Sequence, residues 1–197
     1  MEKIILASNN AHKIKEFKEI FNTYEVVPMK EIGFNEDIIE DGTTFEENSK
    51  IKTTAISNFL KSKNLNYMVM ADDSGLCVEA LNGEPGVYSA RYGGNHNDQQ
   101  NRDFLLKNLE GKINRNAKFV CVITLQKPNG ETIVGKGEVN GTILTKEVGD
   151  TSFGYDCLFH STELNKCFGL ATAEEKNSVS HRGRAIKNLL NKLNMSK

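Results

Sequence analysis

The segment Ala71-Asp72-Asp73-Ser74-Gly75 sets two adjacent carboxylates directly after the short apolar run Tyr67-Met68-Val69-Met70-Ala71. That run predicts a buried strand, with Ser74 and Gly75 allowing a sharp turn where it ends. In α/β proteins ligands gather beyond the carboxyl ends of strands. Carboxylates there suit a hard, oxygen-seeking cation such as magnesium, or the activation of a water. Taken alone, Asp-Asp-Ser-Gly reads more simply as an Asp-rich turn that caps its own backbone.

Four other constellations change that weighting. Ser8-Asn9-Asn10-Ala11-His12-Lys13 joins an apolar run to a predicted helix start. Helix N-termini present backbone N–H groups and a positive dipole end, which suits phosphate, and Lys13 adds a cation. Simple Asn capping accounts for the segment equally well, and the chain lacks the Gly-x-x-x-x-Gly-Lys-Ser/Thr loop of P-loop proteins. Glu40-Asp41-Gly42-Thr43-Thr44 precedes the next helix. Its acids would favour the helix dipole, or one would be a metal carboxylate opposite Asp73. Phe153-Gly154-Tyr155-Asp156 could offer an exposed aromatic pair to stack on a base, with a carboxylate to accept from a ring N–H; taken alone it reads more simply as a strand start with Phe153 and Tyr155 alternating. Lys176 with Ser180-His181-Arg182 could hold a phosphate or a purine edge, or form a surface cluster. His12 and His96 have no clear partner in the sequence and read as surface or loop residues.

The elements that must position these residues follow from periodicity. Residues 3–8 predict a first strand, and Ile14, Phe17, Ile20 and Phe21 then share one helix face. Thr44 and Glu47 have capping-box spacing and open a helix to about Leu60, on which Asn48 and Lys52 share a side. After the strand ending at Asp73, residues 75–81 fit either a strand or a short helix. Asp98 to Leu109 predicts a helix with Phe104, Leu105 and Leu109 inward. Phe119 to Leu125 is a strand, Pro128-Asn129-Gly130 a hairpin turn, and Thr132 to Val139 the return strand. Asn140-Gly141 marks another turn, with Thr142 to Thr145 beyond it. Thr172 and Glu175 make a second capping box, and the last helix runs from about Ser180 to Leu193. The order predicts an α/β protein of α+β character with an elongated mixed sheet and flanking helices.

At 197 residues the chain fits one domain, 1–197, with two lobes, and is long enough to bury a core without staples. A formal net charge of -1 gives no global basic field, so no long nucleic acid partner is expected. Cys77, Cys121, Cys157 and Cys167 include no Cys-x-x-Cys pair, and no second pair completes a zinc site with Cys157 and His160. They read as reduced thiols of a cytoplasmic protein. No signal-peptide pattern and no membrane-spanning run is expected.

These pieces, in this order, resemble the inosine triphosphate pyrophosphatase family. The segments that carry the resemblance are 7–13, 40–49, 71–76, Pro85-Gly86-Val87-Tyr88-Ser89-Ala90-Arg91-Tyr92, 153–156 and 180–182, spanning almost the whole chain. Each is weak alone; their shared order is the specific signal. The resemblance implies hydrolysis of deaminated purine nucleoside triphosphates (XTP, ITP, dITP) to the monophosphate and pyrophosphate. It implies a triphosphate site at Ser8, Asn9, Asn10, Ala11, His12 and Lys13. Asp73 would be proton acceptor and magnesium ligand, and Ser74 a substrate contact. Phe153, Gly154, Tyr155, Asp156, Lys176, His181 and Arg182 would recognise the nucleotide, with Lys52 and Arg91 as further phosphate contacts. Family members often carry Glu-Glu-Thr-Gly in the acidic loop; this chain has Glu40-Asp41-Gly42, so Glu40 and Asp41 both stand as candidates for the second metal carboxylate. The family fold has two lobes around a central cleft and is usually a homodimer.

In that reading water attacks the α-phosphorus and pyrophosphate leaves, with Asp73, or its neighbour Asp72, orienting and deprotonating the water. Hypoxanthine and xanthine present a 6-carbonyl and an N1–H, whereas adenine presents an amine and no N1–H. A site built for the former leaves buried groups unpaired against the latter. Two rivals are a Maf-type pyrophosphatase for other modified nucleotides and a nucleotide-binding module without catalysis.

Overall fold

The computed structural model describes residues 1–195, so the last two positions of the expected 1–197 domain lie outside the described residues. The chain runs β1 (Lys3–Leu6), α1 (Ala11–Ile20), β2 (Glu25–Pro28), α2 (Phe45–Ser62), β3 (Met68–Val78), α3 (Asp98–Asn108), β4 (Asn116–Gln126), β5 (Thr132–Ile143), β6 (Phe159–Ser161), β7 (Lys166–Cys167), α4 (Ala173–Val179) and α5 (His181–Met195). Among the described residues, seven strands form one sheet in the order β2-β1-β3-β4-β5-β6-β7. β1 is parallel to both β2 and β3, and β6 is antiparallel to both β5 and β7, so the sheet is mixed as expected.

Local chemistry fixes the helix starts. Asn10 caps α1, its side chain accepting from the Lys13 N–H. Thr44 and Glu47 close the capping box of α2, and Thr172 and Glu175 that of α4. Each box satisfies two backbone donors that the first helical turn would otherwise leave open. Ser180 Oγ accepts from the Gly183 N–H at 3.0 Å and so starts α5.

Two predicted turns are strand instead. β3 does not end at Asp73 but runs on to Val78, followed by a 3-10 turn over Glu79–Leu81. Turn propensity in Asp-Asp-Ser-Gly is a local preference. Here Asp72 meets Lys13, Asp73 meets Asn48, and Ser74 meets Arg182, so the polar side chains are satisfied inside a buried strand. Likewise β5 passes straight through Asn140-Gly141. Gly141 pairs with Ser161, and a Cβ there would lie 2.4 Å from the His160 carbonyl oxygen and 2.6 Å from the Phe159 ring. The glycine serves close backbone approach, not a turn. Phe104 does not point inward either: it is exposed and packs edge-on against Tyr92 at 4.8 Å, while Leu105 and Leu109 are buried. β2 has no counterpart in the expected elements; four residues ending in proline at a sheet edge carry too little alternation.

The chain divides into two compact units, and β3, β4 and β5 contribute residues to each. The first comprises Met1–Asp73, Val122–Lys136 and the segment from Ala185 on. One of its cores joins Ile5, Ala7, Val69 and Ala71 of the strand region to Ile56 and Leu60 of α2. The second comprises Ser74–Cys121 and Gly137–Arg184, and its core gathers Leu76, Leu105, Phe119, Phe159 and Phe168 with their neighbours. Among the described residues no helix is long and apolar enough to cross a membrane.

Candidate active site

In the first unit, strand alternation separates the two carboxylates. Val69 and Ala71 face the core that includes Ile56 and Leu60 of α2, and Asp73 shares their parity. Its Oδ2 accepts from Asn48 Nδ2 of α2 at 3.0 Å. Asp72 points the other way and meets Lys13 Nζ, from the first turn of α1, at 3.1 Å. Both acids are buried, with relative exposures of 1% and 8%. Lys52, one turn beyond Asn48, reaches the Asp72 main-chain oxygen at 2.6 Å and Glu40 Oε1 at 2.6 Å. Glu40 Oε1 makes an ion pair there without hydrogen-bond geometry. Asp41, the other candidate in that loop, is exposed. Asn48 also accepts from the Gly42 N–H at 2.8 Å, so one buried amide ties the acidic loop to the Asp73 carboxylate.

Burial pushes the Asp73 carboxyl up to about 6. Lys52, Lys13 and the Asn48 hydrogen bond oppose that rise, and Glu40 adds to it. Burial works against charge on Lys52, but the Asp72, Glu40 and Asp73 carboxylates outweigh it and hold the ammonium above its usual range. The cluster therefore sets a firmly protonated Lys52 beside one carboxyl poised near neutrality, the range in which a general base works well.

Beside these groups, the Asn10 N–H reaches Ser8 Oγ at 3.2 Å and its side chain caps α1. Asn9, Asn10, Ala11 and His12 are exposed and Ser8 half-buried.

In the second unit, Lys176 Nζ pairs with Asp156 Oδ2 at 2.6 Å and lies over the Phe153 ring at 5.1 Å. Gly154 has a left-handed φ of 54°, which permits the bend between Phe153 and Asp156. Tyr155 is not an exposed stacking face. It is buried, its hydroxyl donates to the Ser89 carbonyl at 2.7 Å, and burial pushes the phenol far above its usual range. The alternative of two outward aromatics fails because the chain turns at Gly154, sending Tyr155 into the core and leaving Phe153 half-buried. His181 stacks on Phe119 with centroids 4.9 Å apart. Arg182 is 1% exposed and donates from Nη2 to Ser74 Oγ at 3.1 Å. Arg91 ends a 3-10 turn (Gly86–Arg91) with its guanidinium 5.3 Å from the Tyr88 ring centre.

Sequence reasoning gave Asn48 no role, although its four-residue spacing from Lys52 is the signal that places both on one helix side. Arg102 and Asp98 of α3, which grip Gly154, carry no comparable signal: they read as ordinary helix-surface charges.

The profile of the Ham1 family matches residues 4–192. The chain belongs to the Ham1 family. A relative from Clostridium perfringens, named dITP/XTP pyrophosphatase, is 48% identical over 98% of both chains. One of the same name from Staphylococcus epidermidis is 49% identical, covering 94% of this chain and 93% of the relative. The solved structure of the Staphylococcus aureus Ham1 protein matches with a TM-score of 0.87 at 44% identity, covering 100% of both chains. The Ham1 fold thus accounts for the mixed sheet and its flanking helices.

Proposed function

We propose that this chain hydrolyses deaminated purine nucleoside triphosphates, XTP, ITP and dITP, to the monophosphate and pyrophosphate. The observation that carries the reading is the cluster in which Lys13, Lys52 and Glu40, all partly exposed, gather around the buried Asp72 and Asp73, in a member of a family whose relatives are named for this activity. Those names give no support to the Maf-type or non-catalytic alternatives.

In this reading Lys13 and Lys52 bind the phosphate tail through ammonium protons not used by Asp72, and Lys52 gives up Glu40 for a phosphate oxygen. The Asp73 carboxylate, held by Asn48, takes a proton from the attacking water; burial in the protein raises its proton affinity. Water attacks the α-phosphorus in line with the departing pyrophosphate. Asp72 holds Lys13 and, through its main-chain oxygen, Lys52. Phe153, Asp156, Lys176, His181 and Arg182 would recognise the purine, with Ser74 set by Arg182. Tyr155 would act by fixing the loop through Ser89.

Magnesium fits the donor set. Three carboxylates against two ammoniums leave the cluster net negative, and all the available ligands are hard oxygens. Among the described residues no three His, Cys, Asp or Glu form a metal cage; magnesium is characteristically held by one or two carboxylates, water and substrate phosphate. Asp73 and Glu40 would be those carboxylates. Held there, magnesium would supply positive charge to the phosphate oxygens. A homodimer, on the strength of the family resemblance, a cytoplasmic location, from the unpaired thiols, and a single domain of 1–197, from chain length, complete the reading.

A substrate panel tests it. With magnesium present, ITP, XTP and dITP should yield pyrophosphate and the monophosphate, and ATP should be turned over far more slowly. Release of orthophosphate, or equal rates on ATP, would overturn the assignment.

A further inference from the structure

The peptide groups on both sides of Gly154 are gripped by charged side chains of one helix. Asp98 Oδ2 accepts from the Gly154 N–H at 2.8 Å. Arg102, one turn further along α3, donates from Nη1 to the Gly154 carbonyl at 2.9 Å. Arg102 is 2% exposed, and its remaining nitrogens are used: Nε donates to Glu147 Oε1 at 2.7 Å and Nη2 to Gln99 Oε1 at 2.9 Å. Burial opposes charge on Arg102, but Glu147, with smaller help from Cys157 and Asp98, outweighs it and raises the pKa. A buried guanidinium with a fixed fork and an ion-pair anchor is a rigid support, since its rotamer is set from several sides.

The same helix holds the neighbouring loop. Asn101, also buried, accepts from the Gly93 N–H at 2.6 Å and donates to the Ala90 carbonyl at 3.1 Å. Tyr155 closes the frame by donating to Ser89, whose hydroxyl accepts from the Leu76 N–H at 2.9 Å. Gly154 sits at a left-handed φ, so nothing in its own preferences chooses this conformation over others open to glycine. The two charged contacts hold it in this conformation from α3, beside the Tyr155 bond to Ser89. They determine where Phe153 and Asp156, on either side, present a ring and a carboxylate.

We propose that Asp98 and Arg102 are specificity-determining positioning residues: their joint grip on the Gly154 peptide groups sets the purine-recognition loop 153–156. The proposal rests on the reading of that loop as the purine contact. It adds two residues that touch neither purine nor phosphate and act only through the loop. Loss of either grip lets the loop relax, and an ångström of misplacement is enough to degrade recognition. Recognition made in ground and transition states alike should appear in KM before kcat.

The test compares Asp98→Ala and Arg102→Lys with the wild type, using ITP and ATP as substrates and magnesium throughout. Asp103→Asn, on the same helix and bonded to Gln99, controls for changes in helix charge. Both positioning variants should raise the KM for ITP by about tenfold while kcat changes less than about threefold, and should narrow the ITP-over-ATP preference. Asp98→Asn, which keeps a side-chain oxygen for the Gly154 N–H, should recover most of the loss. Wild-type KM and selectivity in folded Asp98→Ala and Arg102→Lys would overturn the proposal, as would a fall in kcat alone. If Arg102→Lys does not fold, Asp98→Ala decides by itself. A wild-type enzyme inactive on ITP would instead overturn the functional reading, and the proposal with it.

Discussion

Asn48 Nδ2 donates to Asp73 Oδ2 across 3.0 Å of buried space, joining the middle of a strand to the second turn of a helix. The amide's oxygen simultaneously accepts from Gly42 in the acidic loop. Asn48→Ala would strip both contacts at once. It leaves a buried carboxyl with one donor fewer and a backbone N–H without its acceptor, a loss of about 1–3 kcal/mol. The expected outcome is a lower unfolding midpoint and a clear drop in pyrophosphate release. Asn48→Asp should be worse for activity, because a second carboxylate facing Asp73 repels it. Full activity in either variant would show that Asn48 does not support Asp73.

Asp73→Asn should keep the fold and abolish turnover, by about 10²-fold to 10⁴-fold or more, since the replacement matches the shape but cannot accept the proton. Thermal denaturation and pyrophosphate release, measured on one preparation, separate the two effects. Wild-type turnover by this variant would discard Asp73 as the base.

The raised carboxyl of Asp73 has a consequence for stability in protein treated with a chelator. Its pKa is about 6 folded against an ordinary 3.8, so the folded protein binds this proton more tightly than the unfolded chain. Between those values the folded state holds more protons, and the Asp73 contribution to stability therefore falls as pH rises from about 4 to about 6, then levels off. The full effect is on the order of 3 kcal/mol. Denaturant titrations at pH 4 and pH 7 should show this loss in the wild type and lack it in Asp73→Asn. Identical pH slopes in the two proteins would show that burial does not penalise this carboxylate.

Lys52→Met keeps the length of a largely buried side chain but deletes its charge. Glu40 and the Asp72 carbonyl both lose a partner at 2.6 Å. A charged hydrogen bond to phosphate is worth about 1.5–3 kcal/mol, so kcat/KM should drop by about 10-fold to 150-fold. Steady-state kinetics on ITP checks this, and an unchanged kcat/KM would place the phosphate tail elsewhere.

Much of this was legible in the residues themselves. Capping boxes at Thr44 and Thr172 announce α2 and α4 because the chemistry is local: two side chains, three positions apart, serving each other's backbone. The charged members of the candidate site were visible for the same reason that carboxylates and lysines always are. What stayed hidden depends on residues distant in sequence. Asp-Asp-Ser-Gly signals a turn until Lys13, Asn48 and Arg182 are seen to satisfy it in place. Tyr155 reads as an available ring until Ser89 claims its hydroxyl. Asp98 and Arg102 look like solvent-facing helix charges, and only the fold shows them gripping Gly154.

Gly141 offers a direct check on one of those hidden features. As a turn residue it would tolerate alanine at small cost unless its φ were positive, and Gly141 is not among the glycines with positive φ. As a residue of close approach it should not. A Cβ would fall 2.4 Å from the His160 carbonyl oxygen and 2.6 Å from the Phe159 ring, and the first of these is backbone in a paired strand that cannot swing aside. Phe159 is itself fully buried against Phe119 and Phe168. Overpacking of this kind costs about 1–3 kcal/mol. Gly141→Ala should therefore lower the denaturation midpoint by several degrees. Gly130→Ala is the comparison: its φ is +90°, in the turn between β4 and β5, but its Cβ would meet nothing within 4 Å. Strain there is conformational only, about 1 kcal/mol. A larger loss at Gly141 than at Gly130 means that steric approach outweighs backbone strain; the reverse order would restore the turn.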